Sequence, residues 1–237
     1  MTSPGMTPGT PATGTSLLLA KAHYPVTTLG PGVRAGIWTQ GCTIGCPGCL
    51  SRDTWDPDPG AAVPVSAVLG WLASLAGPVD GVTISGGEPF QQPEALAALL
   101  RGIHEWRAAN AGQAAPDVLV YSGYAFSRLA RSPRTRDLLA LCDAVVAGPY
   151  VAGRGDGGPL RGSANQRLVP LTDLGHRRYD DLDAVAAGRS RIQVSVDTGP
   201  EGRRVYYIGI PRRGDMDRLN STLERAGVHP GEISWRP

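Results

Sequence analysis

An α/β fold built on a parallel sheet, in the form of a partial, open-sided barrel, is what this sequence predicts. Two observations carry the prediction. Short runs of β-branched and apolar residues alternate with stretches of helical periodicity between residues 33 and 147, and that alternation places strands side by side with helices covering them. The core, residues 16–170, is also too short for closure, since a complete eight-fold barrel takes about 250 residues and roughly 150 are at hand here.

The elements follow in order. Residues 1–15 are Met, Thr, Ser, Pro, Gly and Ala with little to bury, so a disordered tail is expected. Ordered structure begins over Ser16 to Tyr24. Residues 33–40 read as the first strand, which opens into a Gly- and Pro-rich loop. After a connection over Asp53 to Pro64, apolar residues at helical spacing predict a helix from Val65 to Leu75. Gly81-Val-Thr-Ile-Ser reads as a buried strand, Gly86-Gly-Glu-Pro as the turn ending it, and Pro93 to Arg107 as an amphipathic helix with proline at its start. A strand at Asp117 to Ser122, helices near Ala125 to Ala130 and Arg136 to Leu141, and a strand at Ala144 to Ala147 complete the alternation.

Beyond Pro170 the pattern changes. Residues 172–190 are polar and charged, Arg191 to Val196 and Arg204 to Ile210 predict a β-hairpin with a longer loop at Thr198 to Gly202, and Asp215 to Ala226 predicts a closing helix. The expected organisation is therefore a tail (1–15), a core (16–170) and a C-terminal hairpin-plus-helix extension (171–237).

Composition excludes several classes. Net charge is +2, and of 23 basic residues only Lys21 is lysine, so no nucleic-acid stripe is expected. Arg128, Arg131, Arg134 and Arg136 read as a solvated helix end. The sequence has no apolar run of about 18 residues and its N-terminus lacks the regions of a signal peptide, so a cytoplasmic protein with no membrane contact is expected. Clustered thiols agree with a reducing compartment.

The chemistry concentrates in the loop after the first strand, where Cys42, Cys46 and Cys49 bring together three of the four cysteines. Crowded cysteines suit zinc or an iron–sulfur cluster. Zinc needs a fourth ligand, yet Cys142 is distant and His23, His104, His176 and His229 are each isolated. A Cys46–Cys49 redox pair leaves Cys42 unexplained and lacks a following helix. A four-iron cluster held by three cysteines, its last iron open to an outside ligand, accounts for the most. At the second strand's end, Gly86 and Gly87 remove side chains where a polar ligand would approach the backbone, and Glu88 adds a carboxylate suited to an ammonium group.

The Cys-x3-Cys-x2-Cys spacing resembles the radical S-adenosylmethionine superfamily, and its surroundings are similar to the glycyl-radical-enzyme activases, the anaerobic ribonucleotide reductase type above all. The similar segments are Tyr24-Pro-Val with Gly30-Pro-Gly, Gln40 through Cys49 with Thr54-Trp55, Ser85-Gly-Gly-Glu-Pro89, Tyr121-Ser-Gly-Tyr124, Gly148-Pro-Tyr-Val151 and Arg161-Gly-Ser-Ala-Asn-Gln-Arg167. The resemblance implies a partial (β/α)6, TIM-like barrel. It implies a 4Fe-4S cluster on Cys42, Cys46 and Cys49 whose open iron is chelated by S-adenosylmethionine. Ser85, Gly86, Gly87 and Glu88 would form the segment holding the cofactor's amino group. Gly48 and Leu50 would lie near its adenine, Ser122 would bond ribose or carboxylate, and Asn165 would stand close by on the last strand.

The implied reaction is reductive cleavage of the cofactor to a 5′-deoxyadenosyl radical that abstracts a hydrogen atom, so no general acid–base pair is expected. The implied target is a glycine of a partner glycyl radical enzyme. With one cysteine outside the triplet, the electron would come from an external flavodoxin or ferredoxin. A peptide or small-molecule substrate is the second reading, motivated by the extension, because the activases typically end near the Asn-Gln motif. A non-enzymatic zinc or iron–sulfur module is the third. The extension itself reads as a cover for a sheet edge or as a recognition element, and Cys142 as a buried structural thiol.

Overall fold

The computed structural model describes residues 14–109, 115–155, 157–187, 190–199 and 202–228. Apart from Gly14 and Thr15, the expected tail lies outside the described residues.

The strands are β1 (Ser16–Val26), β2 (Arg34–Thr39), β3 (Ala62–Pro64), β4 (Gly81–Gly86), β5 (Asp117–Ser122), β6 (Ala144–Ala147) and β7 (Arg167–Pro170), and they form one sheet in the order β3-β1-β2-β4-β5-β6-β7. The run β2-β4-β5-β6 is parallel, while β1 pairs antiparallel with β2 and β7 antiparallel with β6. The parallel run is thus four strands long, against the six β/α repeats expected, and the order ends at β3 and β7.

The four parallel strands match the expected runs, and nearly every residue in them is buried, as in strands covered on both faces. On one face Ala35, Ile37, Val82, Ile84, Val118 and Val120 pack against helices α1 (Val65–Ala73), α2 (Pro93–Ala109), α3 (Phe126–Arg131) and α4 (Pro133–Leu139). Leu96, Leu99, Leu100 and Ile103 of α2 are fully buried there. The other face carries Leu119, Ala144 and Val146, covered by Tyr179 of α5 (Asp173–Tyr179) and Val185 of α6 (Leu182–Ala186).

These two short helices occupy the stretch that reads in sequence as merely polar. Each buries little of itself and depends on a local cap: the Thr172 side chain accepts from the Gly175 N–H, and Asp181 from the Ala184 N–H. On the same face lies a buried charge. Arg34, wholly inaccessible, donates through Nη1 and Nη2 to the two carboxylate oxygens of Asp117 at 2.9 and 2.8 Å and through Nε to Thr83 Oγ1 at 2.6 Å. The Tyr179 hydroxyl donates to Asp117 as well, which ties the extension to the core.

The hairpin consists of β8 (Ile192–Gly199) and β9 (Gly202–Gly209), followed by α7 (Asp215–Arg225). Pairing runs as far as Gly199 with Gly202, so the connection is shorter than the expected loop.

Candidate active site

Because β2, β4, β5 and β6 are parallel and in register, their C-terminal ends reach one edge together: Thr39 pairs with Gly86, and Ser122 with Ala147. In parallel α/β folds that edge is where sites form. The loops leaving it carry nearly all the residues singled out from the sequence.

The cysteine loop is tied at its base, where the Gly41 N–H donates to Thr54 O and the Cys42 N–H to Trp55 O, both at 2.8 Å. Cys42, Cys46 and Cys49 are free and half-buried, whereas Cys142 is buried. Gln91 braces the loop from outside, accepting from the Thr43 N–H at 3.1 Å and donating to Thr43 Oγ1 at 2.7 Å. Burial pushes the Cys46 thiol up, with the neighbouring Cys49 and Cys42 adding to it, against a hydrogen bond from the Tyr150 N–H that pulls it down.

Among the described residues, no three or more His, Cys, Asp or Glu side chains form a group that could hold a metal ion. A four-iron cluster makes no such demand, since each cysteine binds a different iron and the thiolates stand farther apart than around one ion. Three half-buried thiols on one braced loop fit it.

The Gly86–Gly87 turn packs directly onto the base of that loop. Gly87 N–H donates to Thr39 O at 2.8 Å and Glu88 N–H to Gly41 O at 2.9 Å. A Cβ on Gly86, whose φ is 97°, would lie 2.5 Å from Thr39 N, and one on Gly87 would lie 2.2 Å from Gly41 O. The side chains missing here would have met the protein's own backbone. The two glycines therefore serve the close approach of turn and cysteine loop, where the sequence suggests an opening for a ligand.

Glu88 is 1% exposed. Its Oε1 accepts from Phe90 N–H (3.1 Å) and Ser122 Oγ (2.9 Å), and its Oε2 from Gly123 N–H (2.7 Å). Burial outweighs these bonds and pushes its carboxyl up to about 7. Ser122, a candidate for contact with ribose or carboxylate, spends its single proton on Glu88 and accepts from the Tyr124 N–H.

The segment between β6 and β7 closes over the loop. Gly48 has φ 80°, and a Cβ there would meet Ala152 Cβ at 3.2 Å and Tyr150 Cε1 at 3.5 Å, so the Tyr150 ring packs beside it. Gln166 accepts from the Gly162 N–H and donates to Gly148 O. Asn165 Nδ2 donates to Pro149 O at 2.7 Å, and its buried Oδ1 has no partner among the described residues. An orphaned buried acceptor is the kind of atom a bound ligand satisfies.

Leu50 and Ser85 meet in a cavity of about 200 Å³, whose lining also includes Trp38 and Tyr121. The Tyr121 hydroxyl is buried without a hydrogen-bond partner among the described residues. Sequence reading quoted Tyr150 within Gly148-Pro-Tyr-Val151 without giving it a role, and missed Gln91 and the cavity's far wall. Gln91 stood two residues beyond the quoted Gly-Gly-Glu-Pro motif, and that adjacency was the available signal.

Two comparisons with known proteins agree with this arrangement. The model of the 4Fe-4S single cluster domain matches residues 28–169, which includes β2, β4, β5 and β6 and the loops at their C-terminal ends. Anaerobic ribonucleoside-triphosphate reductase-activating proteins are similar in sequence. The one from Escherichia coli K12 is 28% identical over 149 residues, covering 61% of this chain and 93% of that protein. The one from bacteriophage T4 is 29% identical over 147 residues (61% and 88%), and that from Vibrio cholerae 28% over 155 residues (63% and 96%).

Proposed function

The chain belongs to the 4Fe-4S single cluster domain family, and from that premise we propose that it is a radical S-adenosylmethionine activase acting on a glycyl radical enzyme of the anaerobic ribonucleotide reductase type. The observation that carries the reading is the junction of the two candidate motifs. Gly87 and Glu88 hydrogen-bond to Thr39 and Gly41, so a cofactor touching the Glu88 turn would also touch whatever Cys42, Cys46 and Cys49 hold.

Cys42, Cys46 and Cys49 would bind three irons of a 4Fe-4S cluster. Glu88 Oε2 keeps one lone pair for an ammonium group, Asn165 Oδ1 offers a free acceptor, and Leu50 and Ser85 line a cavity together with Trp38 and Tyr121. When bound, cluster and S-adenosylmethionine together supply a 5′-deoxyadenosyl radical that takes a hydrogen atom from the target glycine. The protein's residues position, enclose and keep water out. In this reading the sheet is the wall of an open-sided barrel, residues 16–170 are the catalytic core and 171–237 an added element. Cys142 is the only cysteine outside the triplet and is buried, so the reading assigns the electron to an external flavodoxin or ferredoxin. No helix among the described residues is long and apolar enough to cross a membrane, and we place the protein in the cytoplasm.

The test is anaerobic reconstitution with iron and sulfide, followed by dithionite and S-adenosylmethionine, with 5′-deoxyadenosine measured beside Cys49→Ala. Nucleoside formed only by the intact triplet supports the chemistry, and a glycyl radical signal by EPR on an added reductase supports the target. Neither cluster nor nucleoside, under conditions where a known activase works, overturns the reading.

A further inference from the structure

The cavity lined by Leu50, Ser85, Trp38 and Tyr121 is closed on its far side by residues beyond the family match: Tyr206 and Ile208 of β9 and Met216 of α7. This wall is held in place. Gln193 of β8 accepts from the Thr27 N–H at 2.9 Å and donates to Pro25 O at 2.7 Å, and Thr28 Oγ1 donates to Ile208 O at 2.9 Å. The Tyr206 ring lies 5.4 Å from that of His23, and Ile208 packs with Val26, Leu29 and Trp38.

We propose that core and extension together form a pocket for the neutral, nucleoside end of S-adenosylmethionine, with the Tyr121 hydroxyl as its polar anchor and β9 with α7 as its cover. The proposal rests on the function argued above. Direction supports it first. Successive strand residues point to opposite faces: Ser122 carries its hydroxyl to Glu88, whereas Tyr121 faces the cavity. Glu88, to which the reading assigns the ammonium group, is not in the cavity's lining, so the cavity is left for the opposite end of the molecule.

Charge and size support it second. The charged side chains lining the cavity are Lys21 and Asp53, and they pair with each other at 3.0 Å. The ammonium, carboxylate or sulfonium of the cofactor would enter without a counter-charge and at a desolvation cost, whereas its adenosine part carries no charge. Trp38 and Tyr206 give the lining an aromatic character that suits a flat ring. A volume of about 200 Å³ falls below the roughly 300 Å³ at which clefts for whole small molecules begin, so one end of the cofactor fills it.

The third support is the Tyr121 hydroxyl itself. It is buried with no hydrogen-bond partner among the described residues. Burial, against the pull of Arg34, pushes its phenol well above the usual range, so the group is a neutral donor. In the empty pocket an unpaired hydroxyl destabilises the protein, and a ring nitrogen or sugar oxygen of a nucleoside would relieve it. Binding and stability are thereby set against each other at one atom.

The experiment uses the full chain without its cluster and 5′-deoxyadenosine as the probe, with binding read by equilibrium dialysis. The unmodified protein should bind the nucleoside saturably. Tyr121→Phe should weaken that binding about three- to tenfold, the range for one hydrogen bond, while the melting temperature of the ligand-free protein holds or rises, because the hydroxyl removed had no partner. Met216→Trp fills the cavity from the extension's side and should weaken binding about tenfold; Met216→Phe takes its place if circular dichroism shows the tryptophan variant unfolded. No saturable binding, unchanged binding in either folded variant, or a lowered melting temperature in Tyr121→Phe overturns the proposal. Reconstituted protein that forms no 5′-deoxyadenosine from S-adenosylmethionine, yet shows these binding effects, counts against the activase reading alone.

Discussion

Ser122 donates its hydroxyl proton to Oε1 of Glu88 across 2.9 Å, linking the end of β5 to the turn that ends β4. With Gly123 N–H on Oε2 and Phe90 N–H on Oε1, the carboxylate gathers three donors from two separate loops. Glu88 thus holds the β5 loop in place. A residue that reads in sequence as a contact for an amine is equally a structural tie.

The burial of that carboxyl, which outweighs its hydrogen bonds, makes stability depend on pH. Burial raises the Glu88 carboxyl from 4.5 to about 7, so the folded state favours the protonated form more than the unfolded chain does. Its contribution is complete below about 4.5 and is lost as pH rises through about 7, a swing of about 3 kcal/mol at 1.36 kcal/mol per unit. Glu88→Gln cannot titrate. Urea midpoints without S-adenosylmethionine at about pH 5 and about pH 8 should fall farther in the unmodified protein than in the variant. Identical slopes would show that Glu88 is charged throughout.

A second prediction concerns the contact between turn and loop. In Gly87→Ala the new methyl would sit 2.2 Å from Gly41 O, against backbone that cannot swing aside. The expected cost is about 1–3 kcal/mol, with reduced iron uptake on reconstitution because the cysteine loop loses its seat. Gly70→Ala is the contrast: it lies within α1 with nothing inside 4 Å of the new carbon, and should stabilise by about 0.5–1 kcal/mol. Thermal melts and iron counts on both variants check the pair.

The sequence made legible what depends on local pattern. Val120 and Val145 stand in continuous apolar runs, and such runs are what strands buried on both faces look like. The spacing of Cys42, Cys46 and Cys49 marks a candidate metal or cluster site in the sequence. What stayed hidden depends on distant partners. Arg34 looks like any surface arginine until Asp117 is seen beside it, and Tyr206 looks like an ordinary strand residue until its ring meets that of His23. The 11-residue β1 is half-buried along much of its length because it lies between β2 and β3. Such burial leaves no clean alternation to read.

Thiol chemistry separates the four cysteines. Cys142 is 1% exposed, its Sγ lies 3.3 Å from Leu138 O, and burial pushes its thiol well above the usual range. Iodoacetamide needs an accessible thiolate. Cluster-free native protein should therefore take up label at Cys42, Cys46 and Cys49, with Cys142 reacting only in denaturant, as peptide mass mapping would show. Rapid labelling of Cys142 in the native state would contradict the burial.

The last prediction asks whether the extension is an appendage or part of the core. Tyr179 lies beyond the family match, yet it is 1% exposed and donates to Asp117, whose carboxylate also neutralises Arg34. Tyr179→Phe removes one donor and leaves the ion pair intact, so it should cost about 1.5–3 kcal/mol, the range for a hydrogen bond to a charged group. Arg34→Met removes the counter-charge and strands Asp117 in the interior, which should cost about 3–5 kcal/mol. The double variant should cost less than the sum, because both side chains act on one carboxylate. Denaturation with urea measures all three. Additive effects would separate Tyr179 from the pair and make α5 a passive cover. Coupling would mean that the segment after Pro170 is built into the same network that fixes β2 against β5, so removing it at that point would disturb the sheet beneath the candidate site.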